Sequence, residues 1–267
     1  MKNLIALIVT GICLSSAFTG CVNKDKAPLI PPSETMIMDF SDYVKDTSQT
    51  KSTLADTSHF WFSTATVVVW NSLIGITCAI PFLSYKEALK HQAVHQHDDS
   101  WLWTFSVRDN WNAFYTCKLS ATDMGTTINW EMRLSKSGWL GYDNFRWYHG
   151  VSYKDGSKGT WTLCESPSNP IDFLKIEWNR DKDIKYTLLK HQNPMPISGI
   201  DSLYGSFIYY GKTSNDLNRV YNIYYMMQNC DIEWNHEDLH GRVRAPYFYH
   251  NDDWHCWGTN LGNTVCE

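Results

Sequence analysis

Residues 101–164 alternate apolar and polar side chains with the two-residue period of a β-strand, and this pattern constrains the fold more than any other feature of the chain. The clearest segment is TTINWEMRL, whose apolar members are Ile128, Trp130, Met132 and Leu134. Successive side chains of a strand point to opposite faces of its sheet, so these residues share one face. We expect that face to be buried, and the intervening Asn129, Glu131 and Arg133 to meet water.

Other segments carry similar strand patterns, and turn sequences such as KDGSKG separate them. After Gly141, the alternating residues are Phe145, Trp147, His149, Val151 and Tyr153. The candidate strands are 101–107, 113–119, 126–134, 145–153, 160–164, 173–178, 184–189, 203–210, 220–227, 230–234 and 242–249. Because no helices alternate with them, we expect a mainly β fold, an antiparallel up-and-down meander of about eleven strands that forms a barrel or half-barrel.

Residues 60–83 are the one long apolar segment outside the first twenty residues. With Thr57 or Ser58 as its N-cap, the segment predicts a helix that is kinked or ended near Pro81 and continues through KEALKHQ, within 58–92. Its length also suits a membrane span. Polar residues inside it, and the lack of a basic cluster at either end, favour a helix packed against the sheet. The β-branched run at 66–70 leaves strands as a further alternative.

The composition excludes a basic nucleic-acid-binding surface, because 23 Lys and Arg stand against 28 Asp and Glu. Aromatic residues make up 15% of the chain, including 13 Trp and 15 Tyr, more than a core alone requires. Such side chains can line a cavity for a lipid, a glycan or another apolar ligand. The candidate ligand-binding residues are Trp101, Trp103, Trp130 and Trp147, and core packing is the alternative for each ring.

The first twenty residues have the pattern of a secretion signal, with Lys2, an apolar stretch at 4–14 and small residues before Cys21. Small residues directly before a cysteine resemble the bacterial lipobox. That resemblance implies removal of residues 1–20, a lipid attached to Cys21, and a membrane as partner. Val22 stands where an Asp would resemble an inner-membrane retention signal, so the resemblance implies the outer membrane. Plain secretion, with Cys21 as an ordinary thiol, is the alternative.

The polar segment that follows, residues 21–57, is predicted to be a tether, and residues 58–267 a single β-rich domain. Within the tether, MIMDF at 36–40 fits either a short edge strand or a disordered linker. A helix held in the concavity of a half-barrel would be similar, in architecture alone, to the half-barrel carriers that move lipoproteins through the bacterial envelope.

Cys256 and Cys266 are the best candidates for a disulfide. They are close in sequence, and Gly258, Asn260, Gly262 and Asn263 between them allow the chain to turn back. An oxidising envelope compartment favours such pairs. The sequence has no CxxC motif, and we assign no zinc or other cofactor.

Three groups of residues contain side chains that could form a chemical site. His91 and His95 are four residues apart and precede Asp98 and Asp99, which suits a metal but also a solvated helix end. Cys256 beside His255 suggests a nucleophile, but neighbours in a strand point to opposite faces, which favours a structural clasp.

The third group is Glu131, Glu177 and Glu233, each of which lies beside a Trp. A glycan hydrolase needs two carboxylates across its sugar, and sugars stack on aromatic rings. Alternation places them on the opposite face from those rings. We therefore assign no catalytic residue.

The leading hypothesis is a lipid-anchored, non-enzymatic envelope protein that binds an apolar ligand, a glycan or a partner through an aromatic concave surface. An envelope glycan hydrolase and a structural surface lipoprotein are the alternatives.

Overall fold

The computed structural model describes residues 26–38, 40, 43, 56–181, 183–189 and 204–266. Within them, fourteen strands form one antiparallel sheet in which every strand pairs with the next along the chain. The strands are β1 Val94–His95, β2 Trp101–Arg108, β3 Phe114–Asp123, β4 Thr127–Lys136, β5 Tyr142–Tyr153, β6 Lys158–Ser166, β7 Asn169–Asn179, β8 Ile184–Leu188, β9 Phe207–Lys212, β10 Arg219–Tyr225, β11 Gln228–Trp234, β12 Gly241–Arg244, β13 His255–Trp257 and β14 Asn263–Thr264. The predicted mainly β meander is confirmed.

The helices of the described chain are α1 Ser58–Thr77, α2 Ala79–Ala88 and α3 Pro246–Tyr249, and a 3-10 turn spans Ser33–Thr35. The sheet is open, and β1 and β14 are its edges. Helix α2 lies against β2, whereas α1 lies against β12, β13 and β14. The two helices therefore span the gap between the first and last strands of the open sheet.

Strands β2 to β12 correspond to the eleven predicted strands, and β1, β13 and β14 add to that number. Each of the three is only two or three residues long, too short for alternation to reveal it. The predicted strand 242–249 ends earlier, at Arg244. Pro246 begins α3, where its missing N–H is tolerated in the first turn of a helix.

The predicted helix is two helices, separated at Cys78. In one continuous helix, Pro81 would leave the carbonyl of Thr77 without a donor and would clash with it. The break places Pro81 in the first turn of α2, where neither problem arises. The helix also ends at Ala88, so the predicted extension to residue 92 is wrong.

Strand β5 faces the opposite way from the prediction over much of its length. Tyr148, Gly150 and Ser152 are buried there, whereas Val151 and Tyr153 are exposed. A register shift opposite Met132 and Arg133 leaves Trp147 as an extra residue, a β-bulge. Because one extra residue reverses the phase of a strand, every side chain beyond the bulge changes face.

The core has two clusters. One joins β2 to β8 with α2, and the other joins β9 to β13 with α1. Residues from the segment predicted as a tether belong to both: Met36 packs in the first, and Phe40 and Tyr43 pack in the second. The folded domain thus includes part of residues 21–57. Residues 1–25, with the predicted signal and Cys21, lie outside the described part.

Hydrogen bonds hold this N-terminal segment against the sheet and α2. The Tyr186 hydroxyl donates to the carbonyl of Met36 at 2.7 Å, and the Tyr85 hydroxyl donates to that of Pro31 at 2.6 Å. The backbone N–H of Met38 donates to the Tyr186 hydroxyl at 3.1 Å. These bonds satisfy buried tyrosine hydroxyls and backbone groups of a segment whose described residues belong to no strand.

Glycines make room for tryptophan rings on the inner face. Gly159 pairs with Trp178 across β6 and β7, and a Cβ at Gly159 would collide with the Trp178 ring. Gly150 likewise pairs with Trp161, and Gly241 pairs with Trp257. A Cβ at either glycine would collide with the ring of its partner. The large rings of the core therefore depend on a missing side chain in the neighbouring strand.

We expect Gly159→Ala to lower the free energy of unfolding by about 2 kcal/mol, because a methyl group would displace the Trp178 ring. Gly75→Ala in α1 is the matched control, since nothing lies within 4 Å of its added Cβ. That change should raise stability by about 0.5–1 kcal/mol, the helix preference for Ala over Gly. Denaturant unfolding measures both, and equal effects would contradict the account.

Candidate functional site

The inner face of the sheet is closed by the protein itself. Trp103 and Trp130 are only 3% and 2% exposed, and their rings lie 5.8 Å apart within the core. The indole N–H of Trp130 donates to the Ser152 hydroxyl at 2.8 Å. Helix α2 and the N-terminal segment cover these rings. Two of the four candidate ligand-binding residues are therefore core residues.

The other two candidates are half-buried and lie apart. Trp101 lies at the start of β2, 4.8 Å from the His95 ring, and lines a cleft described below. Trp147, at the bulge in β5, donates its indole N–H to the Tyr142 hydroxyl at 2.8 Å. The structure does not bring the four tryptophans together around one cavity.

The three glutamates beside tryptophans each bind a cation on the outer face of the sheet. The partner atoms are Arg133 Nε for Glu131 at 2.6 Å, Lys175 Nζ for Glu177 at 2.8 Å and Arg242 Nη2 for Glu233 at 2.6 Å. The adjacent rings, Trp130, Trp178 and Trp234, are buried on the other face. These carboxylates do not converge on a cleft, and nothing in their geometry suits glycoside hydrolysis.

The histidine cluster does not form a metal site in the described residues, where no group of three His, Cys, Asp or Glu side chains is close enough to hold an ion. His91 binds Glu87 at 3.2 Å and stacks on Phe105. His95 is in β1, 3.7 Å from Asp99. The two histidines are separated because the helix ends before either of them.

At the C-terminus, Cys256 and Cys266 form the predicted disulfide, with their sulfur atoms 2.07 Å apart. His255 stacks on Tyr249, with ring centroids 3.7 Å apart, and also lies 5.0 Å from His59 of α1. Because the Cys256 sulfur is bonded, it is not a nucleophile. The segment instead fixes the last strands against α1, as the clasp hypothesis expects.

Four free cysteines occur among the described residues: Cys78, Cys117, Cys164 and Cys230. Burial raises the pKa of the Cys78, Cys117 and Cys230 thiols to about 12, and it also raises the pKa of Cys164. A thiol with such a pKa is almost wholly protonated at neutral pH and reacts slowly. These residues act as apolar side chains of the core.

The turns of an up-and-down meander alternate between two ends of the sheet, and here the two ends differ. Turns after odd-numbered strands form what we call the acidic end, with Asp98, Asp123, Asp155, Asp181, Asp216, Glu237 and Asp238 in or beside them. Turns after even-numbered strands form the apolar end. Its exposed large apolar residues, which we call the apolar rim, are Trp111, Phe114, Trp139, Leu140, Tyr204, Met226, Met227, Tyr247 and Phe248.

An apolar pocket of about 180 Å³ opens at the apolar end, between α1 and strands β7 to β10. Its walls include Trp70, Leu73 and Ile74 from the helix and Phe173, Leu188 and Phe207 from the sheet. The Ser206 hydroxyl also lines it and has no hydrogen-bond partner among the described residues. The pocket can accept an aliphatic chain with a polar group near Ser206.

Helix α1 is apolar on both of its faces. Phe60 and Val67 pack into the core, whereas Val68, Val69 and Ile76 are exposed on the outer face. From Thr57 to Tyr85 the chain has no Asp, Glu, Lys or Arg. Among the described residues, α1 is the one helix that by length and composition is compatible with a membrane span. Here it lies against the sheet and presents an uncharged apolar surface.

A larger cleft, of about 1020 Å³, lies at the acidic end between the N-terminal segment and the turns after β1, β3 and β5. Trp101, Tyr153 and Trp178 line it, together with several charged side chains. A cavity thus lies at each end of the sheet, formed by different residues. Sequence patterns did not reveal either cavity, because each is formed by segments far apart in the chain.

No family model, curated protein or solved structure matches this chain. The function is therefore inferred from the sequence and the geometry.

We expect thiol reagents to leave the folded, unreduced protein unmodified at Cys78, Cys117 and Cys164, which are buried. Denaturation without reductant should expose these three and Cys230, and added reductant should expose Cys256 and Cys266 as well. Peptide mapping by mass spectrometry after alkylation distinguishes the steps. Labelling of Cys256 and Cys266 before reduction would contradict the clasp.

Proposed function

We propose that this is a lipid-anchored, non-enzymatic envelope protein that binds an apolar chain in the pocket beneath α1 and meets a lipid surface through its apolar rim. The pocket carries the proposal, because its walls are apolar and it opens at the end where the rim lies. Aliphatic chains of lipids are the ligands that such a surface favours, through burial of apolar area.

The rim is built to display its side chains rather than to cover them. Trp111 is 81% exposed and Trp139 is 87% exposed, although each is on a short turn. Asp109 holds the first turn in place, accepting hydrogen bonds from the backbone N–H groups of Trp111 and Ala113 at 2.9 Å. Tryptophan at the tip of a fixed turn suits insertion at a membrane–water interface.

The turn between β10 and β11 supports this interpretation most directly. Met226 and Met227 both have positive φ, 50° and 64°, in a two-residue hairpin turn that ordinarily selects Asn and Gly. Leu239 and Leu261, at the acidic end, also have positive φ, but their side chains are buried in the core. Burial offsets the strain of those leucines, whereas Met227 is 75% exposed. The strain in the methionine turn is explained if these side chains bind something.

The position of Lys26 sets where a lipid on Cys21 would lie. Lys26 lines the cleft at the acidic end, and five residues of extended chain reach at most about 18 Å. A ten-residue strand such as β4 is about 33 Å long. On this proposal, a lipid on Cys21 would be nearer the acidic end than the rim. The rim then faces away from the anchoring membrane, toward the surface that supplies or accepts the ligand.

The anchor predicts that Cys21→Ala releases the protein from membranes, because no acyl chain is then attached. Fractionation of cells that express each form, followed by a carbonate wash, measures the distribution. Wild-type protein should stay with the membranes and the variant should become soluble. Equal retention of both forms would show that α1, rather than Cys21, holds the protein in the membrane.

For the rim, we expect replacement of Met226 and Met227 by Asn and Gly to raise stability and weaken lipid binding together. The new turn relieves left-handed strain of about 1–2 kcal/mol, while two apolar side chains are lost. Thermal unfolding and flotation with phosphatidylcholine–phosphatidylglycerol vesicles measure the two effects, with protein that carries Cys21→Ala throughout so that no anchor contributes.

Met124→Asn is the matched control, because Met124 is an exposed methionine in a turn at the acidic end. This variant should bind vesicles like the parent. If all three proteins float equally, or none floats, the rim does not meet a lipid surface.

A further inference from the structure

The cleft at the acidic end has the features of a second binding site, independent of the apolar pocket. Residues 26–32 form one wall, and turns of the first half of the sheet form the other. At about 1020 Å³, its volume is that of a site for a small organic ligand rather than for a single ion. The lining is partly aromatic and partly charged, in contrast to the pocket beneath α1.

A buried donor without a partner lies in the wall of the cleft. Trp178 is 5% exposed, and its indole N–H finds no acceptor among the described residues. Three other buried inner-face indoles, those of Trp130, Trp161 and Trp257, donate to Ser152, Thr35 and the carbonyl of Leu239. A buried donor normally has a partner, since leaving it unpaired costs free energy. Trp178 therefore leaves one donor unpaired in a ring that borders the cleft.

Two further aromatic side chains give the cleft apolar surfaces. Trp101 is half-buried and borders the cleft beside His95, and Tyr153 is exposed, with the ammonium of Lys158 4.9 Å from its ring centroid. Flat rings of this kind stack against the C–H faces of a sugar or another ring. The cleft therefore presents aromatic surface and hydrogen-bonding groups together.

The carboxylates around the cleft are fixed by local hydrogen bonds. Asp123 binds Lys154 at 2.5 Å and accepts from the backbone N–H of Gly125 at 2.8 Å. Asp98 accepts from the Ser100 hydroxyl at 2.6 Å, and Asp155 accepts from the backbone N–H of Ser157 at 2.9 Å. Each carboxylate oxygen can accept more than one hydrogen bond. Together they form acceptors for ligand hydroxyl groups, with Lys26 and Lys154 as donors.

We propose that this cleft binds a neutral saccharide, with ring faces against Trp101 and Tyr153 and a hydroxyl oxygen accepting from the Trp178 indole. A sugar hydroxyl both donates and accepts, and so can pair with the carboxylates, the lysines and the indole at once. An anionic ligand is disfavoured, because four aspartates line the cleft against two lysines: Asp98, Asp99, Asp123 and Asp155, with Lys26 and Lys154.

Isothermal titration calorimetry on the mature protein with cellotriose, maltotriose and chitotriose tests the assignment. We expect at least one of the three to bind. Trp101→Ala should weaken that binding about tenfold or more through lost stacking. Trp178→Phe keeps an aromatic ring but removes the N–H, and should weaken it about tenfold. Tyr153→Ala, at an exposed position, tests the same surface if Trp178→Phe does not fold.

Trp139→Ala is the matched control, an exposed tryptophan at the other end of the sheet, and should bind saccharide like wild type. Failure of all three trisaccharides to bind at millimolar concentration would overturn the proposal. So would binding that survives both Trp101→Ala and Tyr153→Ala. Vesicle flotation does not depend on this cleft, so either proposal can fail without the other.

Discussion

Covering the inner face of an open sheet is the constraint on which the rest of this structure depends. Rows of apolar side chains such as Trp130, Met132 and Leu134 must be removed from water, yet β1 and β14 do not pair to close a barrel. Helices α1 and α2 and the N-terminal segment supply the missing cover. The hydroxyls of Tyr85 and Tyr186 donate to the Pro31 and Met36 carbonyls, and so satisfy two backbone groups that this arrangement buries.

Filling the inner face moves any binding to the two ends of the sheet. In an up-and-down meander the turns alternate between these ends, so two turn compositions can evolve separately on one scaffold. One end displays Trp111, Trp139 and Met227 and contains an apolar pocket, and the other carries aspartates around an aromatic cleft. A protein anchored beside the acidic end would present the apolar end away from the anchor. The proposed lipid and saccharide sites are thereby kept apart on one domain.

The sequence was sufficient to predict strands β2 to β12, because a two-residue period identifies a half-buried strand without reference to its partners. The disulfide between Cys256 and Cys266 followed from their spacing and the turn residues between them. The prediction of which face of β5 is buried was wrong, because nothing in the local sequence indicates the β-bulge at Trp147. The burial of Met36 was missed because it depends on Tyr186, 150 residues away. Both cavities depend on long-range packing of the same kind. Turn positions within the meander, once known, assign Trp111 and Trp139 to one end.

The central claim, that the pocket beneath α1 holds an apolar chain, is tested most directly by mass spectrometry of what the protein carries when it is extracted gently from the cells that express it. Thr77→Trp is the informative variant, because Thr77 lines the pocket from an exposed position on α1 and an indole there would fill it. We predict an acyl-chain compound with the wild-type protein and its loss from Thr77→Trp. No such compound, or equal amounts in both proteins, would contradict the account.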